Sequence, residues 1–406
     1  MVRPHGTNLT RLLRPGLLRR GPLRPNAFTS ALRSENLTSH LGLWLGAAFG
    51  ICFITGYLSH AIQHPPGWFW WPSRPVWLYR VTQGLHVGTG LATVPLLGAK
   101  LWSVYPKLFT WPPVRSVVHA LERGSVAILV GAALFQIVTG ILNVARWYPP
   151  MGFFFTTAHY WTAWLAIGAL LLHIAVQLPV IRRGLSRSAP VPPRVSGLSR
   201  RGLLTTVAAS AAAITVATAG ETIAPLGAVS PLGPRRPDLG PQHLPVNTSA
   251  RAAQVTRAAL DPGYRLRITG PTGVRLLAAT DLDALPHHTV SLPITCVEGW
   301  SADAVWTGIR IADLLALVGV PDGDAWVGWR SHESAQVLVE SIQRGSRYAA
   351  SVLAPAHARD PLTLLARQLN GEPLALDHGY PARLIAPNRP GVLQTKWVNA
   401  LTVEPR

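Results

Sequence analysis

Five side chains of this 406-residue chain sit where their chemistry needs a reason. Four are histidines, His40, His86, His159 and His173, placed inside or at the edges of long apolar runs. Ionisable groups in such runs are costly in lipid and mark function by default. His159 and His173 lie 14 residues apart, which on an α-helix is about 21 Å of rise and nearly the same face. Two haems stacked across a bilayer need that arrangement, each iron taking two imidazoles from facing helices. The expected pairs are His86 with His159 and His40 with His173. The fifth side chain is Cys296, in "PITCVEGWSADAVWTGIRIADLL", at the end of an apolar strand and followed at once by an acid, a glycine and a tryptophan. As a thiolate it is a soft metal ligand, and its alternative role is a buried core cysteine. The other cysteine, Cys52 in "FGICFIT", reads as a small apolar packing residue, so neither a disulfide framework nor a cysteine-based zinc site is expected.

The elements that must position these groups follow from hydropathy. Four apolar stretches long enough to cross a bilayer run over residues 41–63, 76–101, 125–147 and 157–181, and the Ala/Thr-rich stretch 202–219 is a poorer fifth. Arginines and lysines cluster between them: Arg3, Arg11, Arg14, Arg19, Arg20, Arg24 and Arg33 at the start, then Lys107, Arg115 and Arg123, then Arg182, Arg183, Arg187, Arg194, Arg200 and Arg201. The net charge of +19 is therefore a topology signal and not a nucleic-acid footprint. It predicts a multi-pass plasma-membrane protein with a cytoplasmic N-terminus and everything after about residue 225 outside. The two outer loops are crowded with Trp, Tyr and Phe, the residues of membrane interfaces. His60 and His64, at the outer end of the first span, are candidates for the outer haem or a quinol site, or are simple edge residues.

The expected fold class is multi-domain. A basic cytoplasmic segment (1–38) precedes an all-α transmembrane four-helix haem bundle (39–182), followed by a basic loop with a fifth anchor helix (183–224). A Pro/Gly linker (225–247) then leads to an exported, β-rich α+β domain (248–406). In that domain "YRLRITG", "HTVSLPITCVEGW" and "ALTVE" alternate as strands do, whereas "IADLLALVG" and "LTLLARQLNG" read as helix-like.

Two resemblances give these residues a context. "TSHLGLWLG", "GLHVGTG" and "AHYWTAWLAIGALLLH" make residues 38–182 similar to the bacterial di-haem cytochromes b, including the membrane subunit of formate dehydrogenase. That resemblance implies two b haems and electron exchange with quinone or quinol. The segment around Cys296, with "LLARQLNGEPLALDHGYPARLIAPNRPGVLQTKWVNALTVE", resembles the molybdopterin domain of the sulfite oxidase family over about residues 262–406. The resemblance implies that Cys296 binds molybdenum and that His378 and Arg383 hold the pterin. It implies too that Lys396 and the Trp397 backbone anchor the phosphate, and that Tyr348 donates a hydrogen bond to the substrate oxygen. Asn370 and Gly371 shape a turn. The family's upstream pterin-contacting segment is not recognisable, and Asn247 in "LPVNTSA" is a candidate replacement. Arg310, Arg330, Arg344 and Arg347 are candidates for an oxyanion cluster.

Together these readings predict a one-chain molybdopterin oxidoreductase coupling the quinone pool through b haems to oxygen-atom transfer on a small S- or N-oxide. The reverse, sulfite oxidation with electrons passed to quinone, is the alternative, and a cofactor-free binding domain on an electron-transfer anchor is a third. "SRRGLLTTVAASAAAITVATAG" carries Arg200 and Arg201 ahead of an Ala/Thr run. It reads as an internal signal for the twin-arginine export machinery, which moves folded, cofactor-loaded domains, or as ordinary positive flanks of a span. The helix is expected to stay uncut after Ala219.

Overall fold

The computed structural model describes residues 28, 30, 32–109, 114–186, 199–220, 222–233, 236, 238–320 and 336–404. Arg3, Arg11, Arg14, Arg19, Arg20, Arg24, Arg187, Arg194 and Arg330 lie outside the described residues. Among the described residues, five helices are long and apolar enough to span a membrane: α1 (Glu35–Gln63), α2 (Leu78–Val104), α3 (Val117–Val144), α4 (Phe155–Ser186) and α5 (Arg200–Ala219). Even α5, with 20 residues, reaches about 30 Å, the thickness of the hydrocarbon layer. Helix α3 starts earlier than its apolar stretch, because His119, Glu122 and Arg123 continue the helix as polar first turns; Arg123 donates to the Lys107 and Leu108 carbonyls. Large apolar side chains on the helices point outward, with Trp44 and Leu171 each 61% exposed, the pattern of lipid-facing surfaces.

The chain divides into two compact units. The first comprises residues 1–53, 89–141 and 149–215, so far as they are described. Its buried contacts join Leu37 and Leu41 of α1 to Val207 of α5, with Leu96, Ala99 and Trp102 of α2 packed against them. Helices α1 and α4 approach closely, since a Cβ on Gly184 would lie 2.8 Å from the Glu35 carbonyl.

The second unit comprises residues 54–88, 142–148 and 216–406. Its β-structure forms two sheets. One has the order β2 (Gly273–Ala278), β1 (Arg265–Gly270), β10 (Val398–Glu404), β5 (Gln336–Ser341), β6 (Ala350–Leu353), and β1 and β10 are parallel. The other runs β3 (His288–Thr295), β4 (Ser301–Arg310), β7 (Leu364–Leu369), β8 (Glu372–Pro373), with β9 (Arg383–Ile385) also on β7. Short helices α6 (Thr256–Ala259), α7 (Ala279–Ala284), α8 (Ile311–Ala316) and α9 (Pro355–Ala358) complete it. One apolar cluster gathers Leu266, Ile268, Leu314, Val337 and Leu401; a second surrounds the fully buried Trp306 and includes Cys296.

One expectation is corrected here. "LTLLARQLNG", read as helix-like, contains strand β7, which is paired by β4 and β9. Its Leu364, Leu365 and Ala366 are buried on both faces, and a strand buried on both faces loses the alternation that would identify it. The stretch expected as a linker, 225–247, meets the second sheet at its far end. Leu244 is fully buried, and Gln242 donates to the Leu369 and Pro373 carbonyls while accepting from the Ala375 N–H.

Candidate functional site

Cys296 sits at the turn from β3 to β4. Its N–H donates to the Trp300 carbonyl at 2.9 Å and its carbonyl accepts from Gly299 at 3.1 Å, so residues 296–300 close on themselves. Gly299 has φ +105, a left-handed conformation that glycine adopts without strain. The cysteine is buried, and Asn247 donates from Nδ2 to its Sγ at 2.9 Å. An N–H donor aimed at sulfur stabilises the negative charge that a metal-bound thiolate carries.

The segment that delivers Asn247 also reaches the C-terminal motif. Lys396 Nζ donates to the Thr248 carbonyl at 2.8 Å and to the Asp377 carbonyl at 2.7 Å, and Asp377 Oδ1 accepts from the Ala250 N–H at 2.7 Å. Residues 247–250 thus stitch the cysteine turn to the block that holds His378, Arg383 and Lys396. His378 donates from Nε2 to the Pro241 carbonyl at 2.7 Å, which leaves the lone pair on Nδ1. Burial, aided by the Arg383 charge, pushes its pKa down to about 4, so the ring is neutral at pH 7. Arg383, on β9, donates to the His378 carbonyl at 3.2 Å and lies over the Trp306 ring at 5.4 Å. Burial lowers its pKa to about 9, and it remains a cation at neutral pH.

These residues suit a molybdopterin. His378 Nδ1, Arg383 Nε and Asn247 Oδ1 are buried without a hydrogen-bond partner: two acceptors for N–H groups of a pterin and one cationic donor for its anionic part. Trp397 is a core residue, its indole donating to the Leu376 carbonyl and its backbone N–H to the Gly379 carbonyl.

The remaining candidates lie on other elements. Tyr348 is 36% exposed, in the turn before β6, with its N–H on Ser346 Oγ. Arg310 is paired with Asp313 at 2.9 Å, and Arg344 and Arg347 are exposed. Asn370 accepts from the Val305 N–H and donates to the Gln242 carbonyl, a turn-shaping role. Sequence reasoning missed Arg389, which is buried, donates to the Val352 carbonyl and keeps Nη1 unpartnered. It also missed the surroundings of the cysteine turn. Glu298 is buried, accepts from Trp300 Nε1 at 3.0 Å and from Tyr148 at 3.3 Å, and pairs with Arg146 at 3.3 Å. Burial raises the Tyr148 phenol above its usual range, helped by the charges of Glu298 and then Cys296. The signal was present in the sequence, as polar residues at the ends of apolar runs.

The helical histidines are also oriented. His40 donates from Nδ1 to the Asn36 carbonyl at 2.8 Å, which puts its lone pair on Nε2. Thr139 spends its one hydroxyl proton on the Phe135 carbonyl at 2.7 Å, so it accepts from His159 Nδ1 at 3.1 Å, with the same result. His86 Nδ1 meets Thr55 Oγ1 at 3.2 Å, and a Cβ on Gly56 would approach its ring to 2.9 Å. Nδ1 engaged and Nε2 carrying the lone pair is the tautomer that an axial ligand needs, and His40 and His159 have it. The His60 and His64 rings lie 4.8 Å apart.

Comparison with known proteins gives this site its class. Residues 252–406 match the family model described as oxidoreductase molybdopterin binding domain, and this part of the chain is a molybdopterin-binding oxidoreductase domain. Over 170 residues the chain is 32% identical to "Sulfite oxidase, mitochondrial" of Mus musculus, covering 36% of this chain and 30% of that protein. Over 141 residues it is 28% identical to "Putative protein-methionine-sulfoxide reductase subunit YedZ1" of Azospira oryzae, covering 34% of this chain and 48% of that one. The chain thus spans less than half the length of either relative. The solved sulfane dehydrogenase SoxCD from Paracoccus pantotrophus aligns over 36% of this chain and 39% of that chain at 24% identity, with a TM-score of 0.30.

Proposed function

We propose that the chain is a membrane-bound molybdenum oxidoreductase that takes electrons from quinol through two b haems and reduces a small S- or N-oxide outside the membrane. The observation that carries this reading is the set of buried, unpartnered polar atoms of His378, Arg383 and Asn247 in the domain where Asn247 caps Cys296, on the same chain as five described helices of membrane length, with His40 and His159 held in one tautomer. When bound, molybdopterin supplies oxygen-atom transfer at molybdenum and the haems supply one-electron transfer.

The protein's own residues supply the rest. Cys296 is the molybdenum ligand, and Asn247 steadies its sulfur. His378 and Arg383 hold the pterin, and Lys396 anchors its phosphate after exchanging one of its two carbonyl partners. Tyr348, exposed to solvent, donates a hydrogen bond to the substrate oxygen and favours its release as water. His86 with His159, and His40 with His173, are the haem ligand pairs. Quinone is the redox partner, the N-terminus is cytoplasmic, and Arg200 and Arg201 direct the loaded domain to twin-arginine export.

Helix α5 stays attached. Ser230 Oγ accepts from the Gly220 N–H at 2.7 Å and donates to the Val216 carbonyl at 2.6 Å, while the Leu232 N–H takes the Ala217 carbonyl at 2.9 Å. These bonds occupy the backbone that a protease would need extended. The expected mature protein is uncleaved at Ala219, and mass spectrometry finding a fragment that begins at Gly220 overturns this.

The reading is tested by metal and pterin content, the optical spectrum, and haem reduction with a quinol analogue followed by an S-oxide such as methionine sulfoxide. Reoxidation by the S-oxide supports it. Reduction of the haems by sulfite instead supports the second reading, a sulfite dehydrogenase, for which the name of the mouse relative speaks.

A further inference from the structure

The peptide after the metal cysteine is gripped from two helices at once. Gln83 of α2 donates from Nε2 to the Val297 carbonyl at 3.1 Å, and Asn143 of α3 donates from Nδ2 to the same oxygen at 3.3 Å. The Gln83 amide is oriented by Tyr79, whose hydroxyl donates to its Oε1 at 3.4 Å and leaves the NH2 facing Val297. The Tyr148 hydroxyl lies 3.3 Å from both Asn143 Oδ1 and Glu298 Oε1, and its single proton serves one of them at a time. Both amides are buried, where an amide group is retained only when satisfied. The next residues are held as well. Thr222 donates to the Gly299 carbonyl at 2.6 Å, and Arg80 donates to Ser301 at 2.7 Å. Gly299 lacks a side chain where Val87 packs, since a Cβ there would lie 3.1 Å from a Val87 methyl. All these residues belong to the second unit.

The helical positions matter. Gln83 lies three residues before His86, on the same face of α2, and Val87 is the residue after it. His86 is thus associated with an amide one helical turn away, and this amide meets that of Asn143 at one carbonyl, one residue from Cys296.

We propose that Gln83 and Asn143 are positioning residues that couple the outer haem to the molybdenum site by fixing the Val297 carbonyl and so the Cys296 turn. Neither touches substrate. They hold the cysteine turn at a constant place relative to His86, so that electrons cross a short, rigid stretch of protein. With haem and molybdenum bound, two one-electron crossings would be needed per turnover: quinol becomes quinone and gives up two electrons and two protons to the solvent, and the S-oxide takes two electrons and two protons from the solvent to leave the sulfide and water. The inference rests on the reading that Cys296 binds molybdenum and His86 binds haem.

The test uses the full chain carrying Gln83→Met, Asn143→Leu, or both. Each replacement removes the donor and keeps the apolar bulk. Molybdenum and haem content are measured first in the unaltered chain, and absence of either overturns both readings together. With both present, the double variant is expected to retain them and to keep its S-oxide reduction with a soluble dye that donates directly to the metal. Its haem-to-molybdenum transfer rate, followed by stopped-flow absorbance, should fall about tenfold or more, the size that outer-shell partners of metal sites carry. The molybdenum EPR signal should shift. Each single variant leaves one donor on the carbonyl and should slow transfer less than the double, with the two effects not additive. An unchanged transfer rate in the double variant overturns the inference, as does an equal fall in dye-driven reduction. If the double variant does not fold, unaltered transfer rates in both single variants overturn it.

Discussion

His159 owes its ring orientation to Thr139, a residue of one neighbouring helix, and His40 owes its own to Asn36, four residues back on the same helix. Cys296 depends on residues from much further away in the chain: Asn247 on its sulfur, and Gln83 and Asn143 on the next carbonyl. The helical groups are oriented either one turn away on their own helix, as His40 is by Asn36, or by the adjacent helix, as His159 is by Thr139. The β-domain site is organised by strand pairing and loop contacts that bring together residues 247, 296, 378, 383 and 396. The contrast teaches that the two kinds of site should fail differently. Helical histidines can be changed one at a time, whereas the cysteine site, held from several segments, should keep its metal and shift in geometry when one contact between segments is cut.

The largest expected effect is on the β-domain side. Cys296→Ser should lower molybdenum content and dye-driven reduction by more than about 100-fold, beyond the range that outer-shell changes produce. Metal analysis and EPR check it, and a variant with normal molybdenum would return Cys296 to a core packing role.

Acidification should separate the two regions next. His378 has its folded pKa at about 4, below the ordinary 6.5, because burial disfavours the charged ring, and His357 is pushed down to about 3 by burial and Arg389. The unfolded chain therefore binds more protons between these values and 6.5, and the stability present above pH 6.5 is lost as pH falls towards 4. For His378 the full loss is on the order of 3 kcal/mol. Urea midpoints of the purified protein measured from pH 7 to pH 4 should fall; a flat profile would mean that His378 is accessible to protons in the folded state.

A smaller effect is expected at Arg383. Its buried cation has no carboxylate partner among the described residues and Nε is unpartnered. Arg383→Met should reduce pterin retention about 10- to 100-fold, read as cofactor content after gel filtration. Retention equal to that of the unaltered chain would remove Arg383 from the cofactor site. The smallest effect belongs to the helical side. Thr139→Val removes one hydrogen bond to His159, worth about 1 kcal/mol. The haem should be retained with a shifted midpoint potential in an optical redox titration, and loss of one haem step altogether would mean that the ring needs Thr139 to bind at all.

Much of the helical region was legible beforehand, because apolar length and the costs of lipid leave few alternatives. The five helices lie over the stretches that hydropathy marks, and the four histidines stand out as ionisable groups within or beside them. The β-domain was legible at Cys296 and the C-terminal motif, and less so between them. Strand β7 was hidden by being buried on both faces. The end of the expected linker gave no pattern at all, yet Leu244 and Gln242 anchor it to the domain. Gln83 and Asn143 were visible as amides in apolar runs, but nothing in a linear sequence says which carbonyl they satisfy.

The amino-acid sequence by itself determined the helices of membrane length, the spacing of the histidines and the residue types of the cysteine motif, because these rest on local periodicity, transfer energies and residue type. Only the tertiary structure decided that Asn247 caps the Cys296 sulfur and that Gln83 and Asn143 share the Val297 oxygen. Those contacts join residues separated by 49 to 214 positions in the chain. They form because a buried donor left without an acceptor costs more than the loop ordering that supplies one, and that balance is set by packing and not by any neighbour in sequence.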